Sequence, residues 1–243
     1  MTKIYDALKR AEEERGEKAA ASTGPAIQSE RKPRSESLRQ RLISVYQAIE
    51  TGLPGKPSRT ILFVSSRPGE GASKLVRELA VLASGELGQR VALIDAGRGA
   101  GGHHEHFGIQ LEAGFDDVVS GLRQLEAVMQ EVDGGGLFLG CIAAGHAPSS
   151  TVLADPKFED IVKELRERFS LVLFDAPPLA ASSDALVMVP ASDGVIMVIE
   201  AEKTRWQVAE NAKERMAIQG ANILGVILNR RRFHIPQFIY KML

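Results

Sequence analysis

Six short apolar runs recur along the chain, "RTILFVS", "RVALID", "GLFLGCIA", "SLVLFDA", "GVIMVIEA" and "ILGVILN", most of them separated by stretches of helical periodicity. Successive side chains of a strand point to opposite faces, so a run that is apolar at nearly every position needs cover on both. Parallel strands joined by crossover helices supply that cover. The periodicity between the runs predicts helices over 73–87, near 114–132, over 156–168 and over 204–218. The chain therefore reads as an α/β fold with a doubly wound, mostly parallel sheet. Ligands of such sheets bind beyond the carboxyl ends of the strands. The unusual residues of this sequence fall there.

Ahead of the first apolar run, residues 1–17 place Ile4, Leu8 and Ala11 on one helical face among Lys, Arg and Glu. That spacing predicts a short amphipathic helix whose apolar stripe is too thin to be stable alone. Residues 18–35 are polar, carry Gly and Pro without periodicity, and read as a flexible linker. A single α/β domain is expected over 36–243. No apolar run approaches the roughly 18 residues of a membrane span, and the charged N-terminus lacks a signal-peptide core. Thirty Lys and Arg against 31 Asp and Glu leave a net charge of -1, which gives no bulk attraction to nucleic acid or an acidic membrane surface. The single cysteine, Cys141, excludes an intramolecular disulfide and, inside "GLFLGCIAAG", reads as a buried strand thiol. A cytoplasmic chain is expected, peripheral to a membrane only through a partner.

The stretch "SSRPGEGASKLVRELA", residues 65–80, joins the first strand to the first crossover helix. Phosphate-binding loops work because backbone N–H groups and a helix N-terminus converge on the anion while glycines let the chain come close. Pro68, Gly69, Glu70 and Gly71 supply such a backbone, and Ser73 stands where a Mg-ligating hydroxyl belongs. Ala72, however, holds the place of the loop lysine. Lys74 lies about 200° further around the helix and does not replace it.

The chain resembles the bacterial tyrosine kinases (BY-kinases), P-loop modules that work with membrane copolymerases in capsule and exopolysaccharide synthesis. "SSRPGEGAS" is similar to the family's first Walker segment, "ALIDAG" to its second aspartate-bearing strand, and "LVLFDAPPLAASSDALVMVPASDGVIMVIEAEKT" to its Walker B region. "HEHF" and "GVILNR" match in order and spacing, so the resemblance runs from about residue 44 to 230. The leader "KIYDALKRAEEER" is similar to that of some soluble members. The resemblance implies a P-loop NTPase fold of the deviant-Walker type, ATP or ADP with Mg as cofactor, and Asp95 and Asp175 as the acidic residues of the catalytic and metal site. It implies as partner the cytoplasmic end of a membrane polysaccharide copolymerase, or an active kinase of the same family. No nucleic acid is expected.

The departures from that pattern carry equal weight. A loop lysine follows charge into the transition state. Losing one preorganised contact of this kind costs on the order of 100- to 1000-fold in rate. The family's D-x-D continues here as Asp95-Ala96-Gly97, which removes a carboxylate, and its paired arginines become Gly99 and Ala100. Arg67 has two readings, a substitute cation, as in the related placement and partition ATPases, or a solvated loop residue. Asp175 reads as a group acting on Mg²⁺ or as a cap on a strand end. Asn229 reads as an adenine contact or a turn asparagine. The assembly motif E-x-x-R-x-x-R falls on Ser44, Gln47 and Glu50, with Tyr46 as its remnant. Of the tail's tyrosine cluster only Tyr240 is left, and Tyr5 is the third tyrosine of the chain. "HHEH", residues 103–106, suggests a metal cluster, but only His104 matches a family position, and "RRRF" reads as a solvated edge.

Together these features point to a catalytically impaired BY-kinase relative that regulates or scaffolds exopolysaccharide synthesis. An active autokinase or ATPase using Arg67, and a partition- or placement-type ATPase, are the alternatives.

Overall fold

A computed structural model of the chain describes residues 36–97, 102–110, 112–132, 134–143 and 149–231. The helix and linker expected over 1–35, together with Tyr5 and Tyr240, lie outside the described residues. The chain runs α1 (Glu36–Gly52), β1 (Arg59–Ser65), α2 (Ala72–Gly85), β2 (Val91–Asp95), α3 (His103–Phe107), α4 (Phe115–Val119), α5 (Leu125–Val128), β3 (Gln130–Val132) and β4 (Leu137–Cys141). There follow α6 (Ser149–Ala154), α7 (Lys157–Arg168), β5 (Leu171–Asp175), α8 (Asp184–Met188), a 3-10 turn (Val189–Ala191), β6 (Gly194–Glu200), α9 (Trp206–Ile218) and β7 (Ile223–Asn229).

The sheet order is β3-β4-β2-β5-β1-β6-β7, and only β3 runs antiparallel to its neighbour. Alternation along the apolar runs divides the core in two. Leu62, Val64, Ile94 and Phe174 pack with residues of α4 to α9, including Phe115, Phe158 and Met216. Ile61, Phe63, Leu93 and Leu173 pack on the opposite face with Leu42 and Ile49 of α1 and Val76, Leu79 and Leu82 of α2. Phe63 and Phe174 are fully buried, each contributing about 1.5–3 kcal/mol through the apolar area it removes from water.

Two expectations are corrected. The helix anticipated near 114–132 is two short helices followed by β3. The N–H groups of Leu122 and Arg123 both donate to the Asp117 carbonyl, at 2.9 and 3.3 Å, which closes α4 after little more than a turn. Phe115, Leu125 and Val128 read as one stripe because all three are buried, although they come from separate helices. Full cover of the strands also fails at edge strand β7, where Val226 and Leu228 are exposed.

The register decides where chemistry can occur. Asp95 and Asp175 are direct partners across β2 and β5, and Phe63 pairs with Asp175 across β1 and β5. The two aspartates therefore end adjacent strands, with Asp175 on the strand next to the one that feeds the glycine loop, on the face that α2 covers.

Candidate functional site

Between β1 and α2 the loop is held in shape by a buried carboxylate. Glu70, 2% exposed, accepts hydrogen bonds from the Ser66 N–H at 2.7 Å, the Ser66 hydroxyl at 2.9 Å and the Arg67 N–H at 2.9 Å. The Thr204 hydroxyl, from the connection after β6, donates to the same carboxylate. The Asn229 amide, at the end of β7, donates to the Glu70 carbonyl at 2.8 Å. Gly71 then precedes α2 with φ at 91°, a left-handed conformation that strains any side-chain-bearing residue. A Cβ at Gly71 would also run into the Asn229 amide nitrogen.

Leu75 is the first residue of α2 to close a helical bond, from its N–H to the Gly71 carbonyl at 3.2 Å. The N–H groups ahead of it belong to a helix start, which leaves them without intrahelical partners and open to an anion. Ala72 is buried at the first helical position, and Ser73 and Lys74 are exposed. Arg67, Pro68 and Gly69 form the exposed lip of the loop.

Beside the loop lies a cavity of about 590 Å³ whose lining includes Pro68, Ser73, Asp95, His103, Asp175 and Pro178. The structure thus brings Ser73, Asp95 and Asp175 together. Arg67, Lys74 and Asn229 do not line this cavity, and no Lys or Arg among the described residues does.

Sequence reasoning missed His103. The chain "HHEH" forms most of α3, with His103 buried, His104 half-buried and His106 exposed. The His103 Nε2 lies 2.9 Å from the Asp175 Oδ2, both groups being buried. Asp95 caps α3, its Oδ2 accepting the His103 N–H at 3.1 Å and its Oδ1 the Gly97 N–H at 2.9 Å. Gly102 permits this approach, since a Cβ there would come within 2.9 Å of the Asp95 Oδ2. The cluster of histidines was visible in the sequence, but nothing in it showed which one turns inward. Thr204 gave no signal at all.

These contacts bear on magnesium. Mg²⁺ takes six oxygen ligands in near-octahedral geometry, commonly one or two carboxylates with phosphates and waters. Of the four carboxylate oxygens of Asp95 and Asp175, three already accept hydrogen bonds. The fourth, the Asp175 Oδ1, is buried without a hydrogen-bond partner among the described residues. Among the described residues no three His, Cys, Asp or Glu side chains converge as metal ligands. The Ser73 hydroxyl and the Asp175 Oδ1 are the groups that would hold Mg²⁺, with phosphate and water as its other ligands.

Cys141, expected as a buried thiol, is half-buried at the end of β4, with its Sγ 3.8 Å from the Ala113 carbonyl. Burial, reinforced by Asp95, pushes its pKa up to about 12. It is not a nucleophile at neutral pH.

A glycine loop between the strand β1 and the helix α2, with aspartates ending β5 and β2 on one side of it, defines a P-loop α/β protein. No family model matches the chain. EpsB of Ralstonia nicotianae, provisionally named a tyrosine-protein kinase, is 31% identical over 202 residues, 81% of this chain but only 26% of EpsB. The tyrosine-protein kinase YwqD of Bacillus subtilis is 27% identical over 193 residues, 77% of this chain and 80% of YwqD. The solved BceF tyrosine kinase domain superposes with a TM-score of 0.69 at 26% identity, covering 89% of this chain and 86% of that domain. The chain is a homologue of the bacterial tyrosine kinases. It spans about a quarter of the length of EpsB.

Proposed function

We propose that the chain is a catalytically impaired BY-kinase homologue that binds nucleotide and regulates or scaffolds exopolysaccharide or capsule synthesis. The observation that carries this reading is the cavity itself, which has a helix start for phosphate at one side and no lysine or arginine in its described lining. Phosphoryl transfer depends on cations that follow the developing charge. Ala72 supplies none, and Asp95, with both oxygens engaged by N–H groups, is a poor base for an incoming hydroxyl. Binding is less demanding, because helix-start N–H groups attract phosphate without a lysine. ADP is then held about as well as ATP.

The partner in this reading is the cytoplasmic end of a membrane polysaccharide copolymerase or an active kinase of the same kind, and membrane association is indirect. Among the described residues no helix is long and apolar enough to cross a membrane. An active kinase or ATPase is the second reading, favoured by the convergence of Ser73, Asp95 and Asp175 on one cavity. Mass spectrometry of the purified full chain after incubation with Mg-ATP separates the two. Absence of phosphotyrosine is expected, also in Ala72→Lys, because Gly97 still lacks a carboxylate. Stoichiometric phosphotyrosine in the wild type overturns the impaired reading.

A second expectation concerns assembly. Ser44 and Gln47 are uncharged on the exposed side of α1, while Glu50 is paired with Arg59 of the same chain at 2.8 Å. With the charges of the assembly motif missing or engaged internally, light scattering should give a monomer or small oligomer at micromolar concentration. An octamer would contradict this.

A further inference from the structure

One residue is held by both aspartates of the cavity. The Asp95 Oδ2 accepts the His103 backbone N–H at 3.1 Å, and the His103 ring meets Asp175, with Nε2 and Oδ2 2.9 Å apart. A carboxylate only accepts, so the Nε2 of this pair carries the hydrogen. The two side chains are 1% and 6% exposed, which leaves little water to compete for the bond. The backbone bond to Asp95 fixes where the ring begins, so the two aspartates place it jointly. His103, Asp95, Asp175 and Ser73 all line the same cavity.

The consequence is a count of free oxygens. Backbone N–H groups of Gly97 and His103 take both oxygens of Asp95, and the His103 ring takes one of Asp175. Only the Asp175 Oδ1 is left, buried and without a hydrogen-bond partner among the described residues. A carboxylate pinned by its other oxygen cannot turn both toward one ion. Mg²⁺ is served by single carboxylate oxygens in an octahedral set, whereas Ca²⁺ takes six to eight oxygens and often both of one carboxylate. We infer that His103 is a positioning residue for a divalent cation: it holds Asp175 so that one oxygen alone is offered, and thereby makes a bound nucleoside diphosphate prefer a small octahedral ion, Mg²⁺ or Mn²⁺, over Ca²⁺. The inference rests on the nucleotide-binding reading above. Groups that orient a metal ligand from behind typically change metal affinity about 10- to 100-fold when removed.

Calorimetric titration of the full chain with ADP, in EDTA, in excess Mg²⁺ and in excess Ca²⁺, tests this. In the wild type Mg²⁺ should strengthen ADP binding about tenfold or more beyond the gain given by Ca²⁺. His103→Leu removes the donor, and His103→Gln keeps an N–H donor on a side chain of similar reach. In the Leu variant, its fold checked by circular dichroism, the Mg²⁺ gain should fall about tenfold or more, to within about threefold of the Ca²⁺ gain. The Gln variant should restore the preference. Equal gains from the two ions in the wild type overturn the inference and leave nucleotide binding standing, and so does a folded Leu variant that keeps the wild-type preference. Affinity lost equally in all three solutions would make the ring a packing residue only, which also overturns it. Absence of ADP binding by the wild type in all three overturns it together with the nucleotide reading. If the Leu variant does not fold, the wild-type comparison and the Gln variant decide, and loss of the preference in Gln overturns the inference.

Discussion

Gly71→Val is expected to lower ADP and ATP affinity by more than about a hundredfold, the largest loss available from a single loop substitution. The reason is geometric and acts twice. Gly71 has φ at 91°, and a β-branched residue there costs on the order of 1–3 kcal/mol of backbone strain. The added Cβ also collides with the Asn229 amide that ties the end of β7 to the Glu70 carbonyl. Relief of either conflict swings the start of α2 away from its place, and with it the N–H groups that face the anion. Each hydrogen bond to a charged group contributes roughly 1.5–3 kcal/mol, so losing two suffices for the expected effect. Titration calorimetry reads the affinity. Equal affinities in the variant and the wild type would mean that the loop does not hold the phosphates.

Glu70→Ala should be the most destabilising change in the loop, lowering stability by about 2–4 kcal/mol and the melting temperature by about 10 °C. The carboxylate is buried and takes the N–H groups of Ser66 and Arg67 together with the hydroxyls of Ser66 and Thr204. Truncation leaves those donors beside a void instead of an acceptor. Glu70→Gln should lose less, since the amide oxygen still accepts, but its NH₂ group faces donors. Thermal unfolding followed by circular dichroism checks the order wild type, Gln, Ala. An Ala variant that melts within a degree of the wild type would show that Glu70 is a bystander.

Glu70 also shows how far the sequence could be read. Its position between two glycines marked it as part of a phosphate loop. The loop's place after β1, the strand ends carrying Asp95 and Asp175, and the parallel sheet all follow from apolar runs and glycines, which are local signals. The inward brace is completed by Thr204 on the Glu70 carboxylate and by Asn229 on its carbonyl, both more than 130 positions away. The same holds for His103 and Asp175, 72 positions apart. Distant partners leave no periodic trace in a single sequence. The short β3 was hidden for the opposite reason. The two short helices ahead of it, α4 and α5, bury apolar residues that mimic one long helix.

The proposal that the chain binds nucleotide without turning it over is tested most directly by following labelled ATP with the purified full chain in Mg²⁺ over several hours. Stoichiometric binding is expected, with the nucleotide recovered from the protein as intact ATP. Recovery as ADP and phosphate in excess over protein would contradict that proposal, and so would the absence of any bound nucleotide.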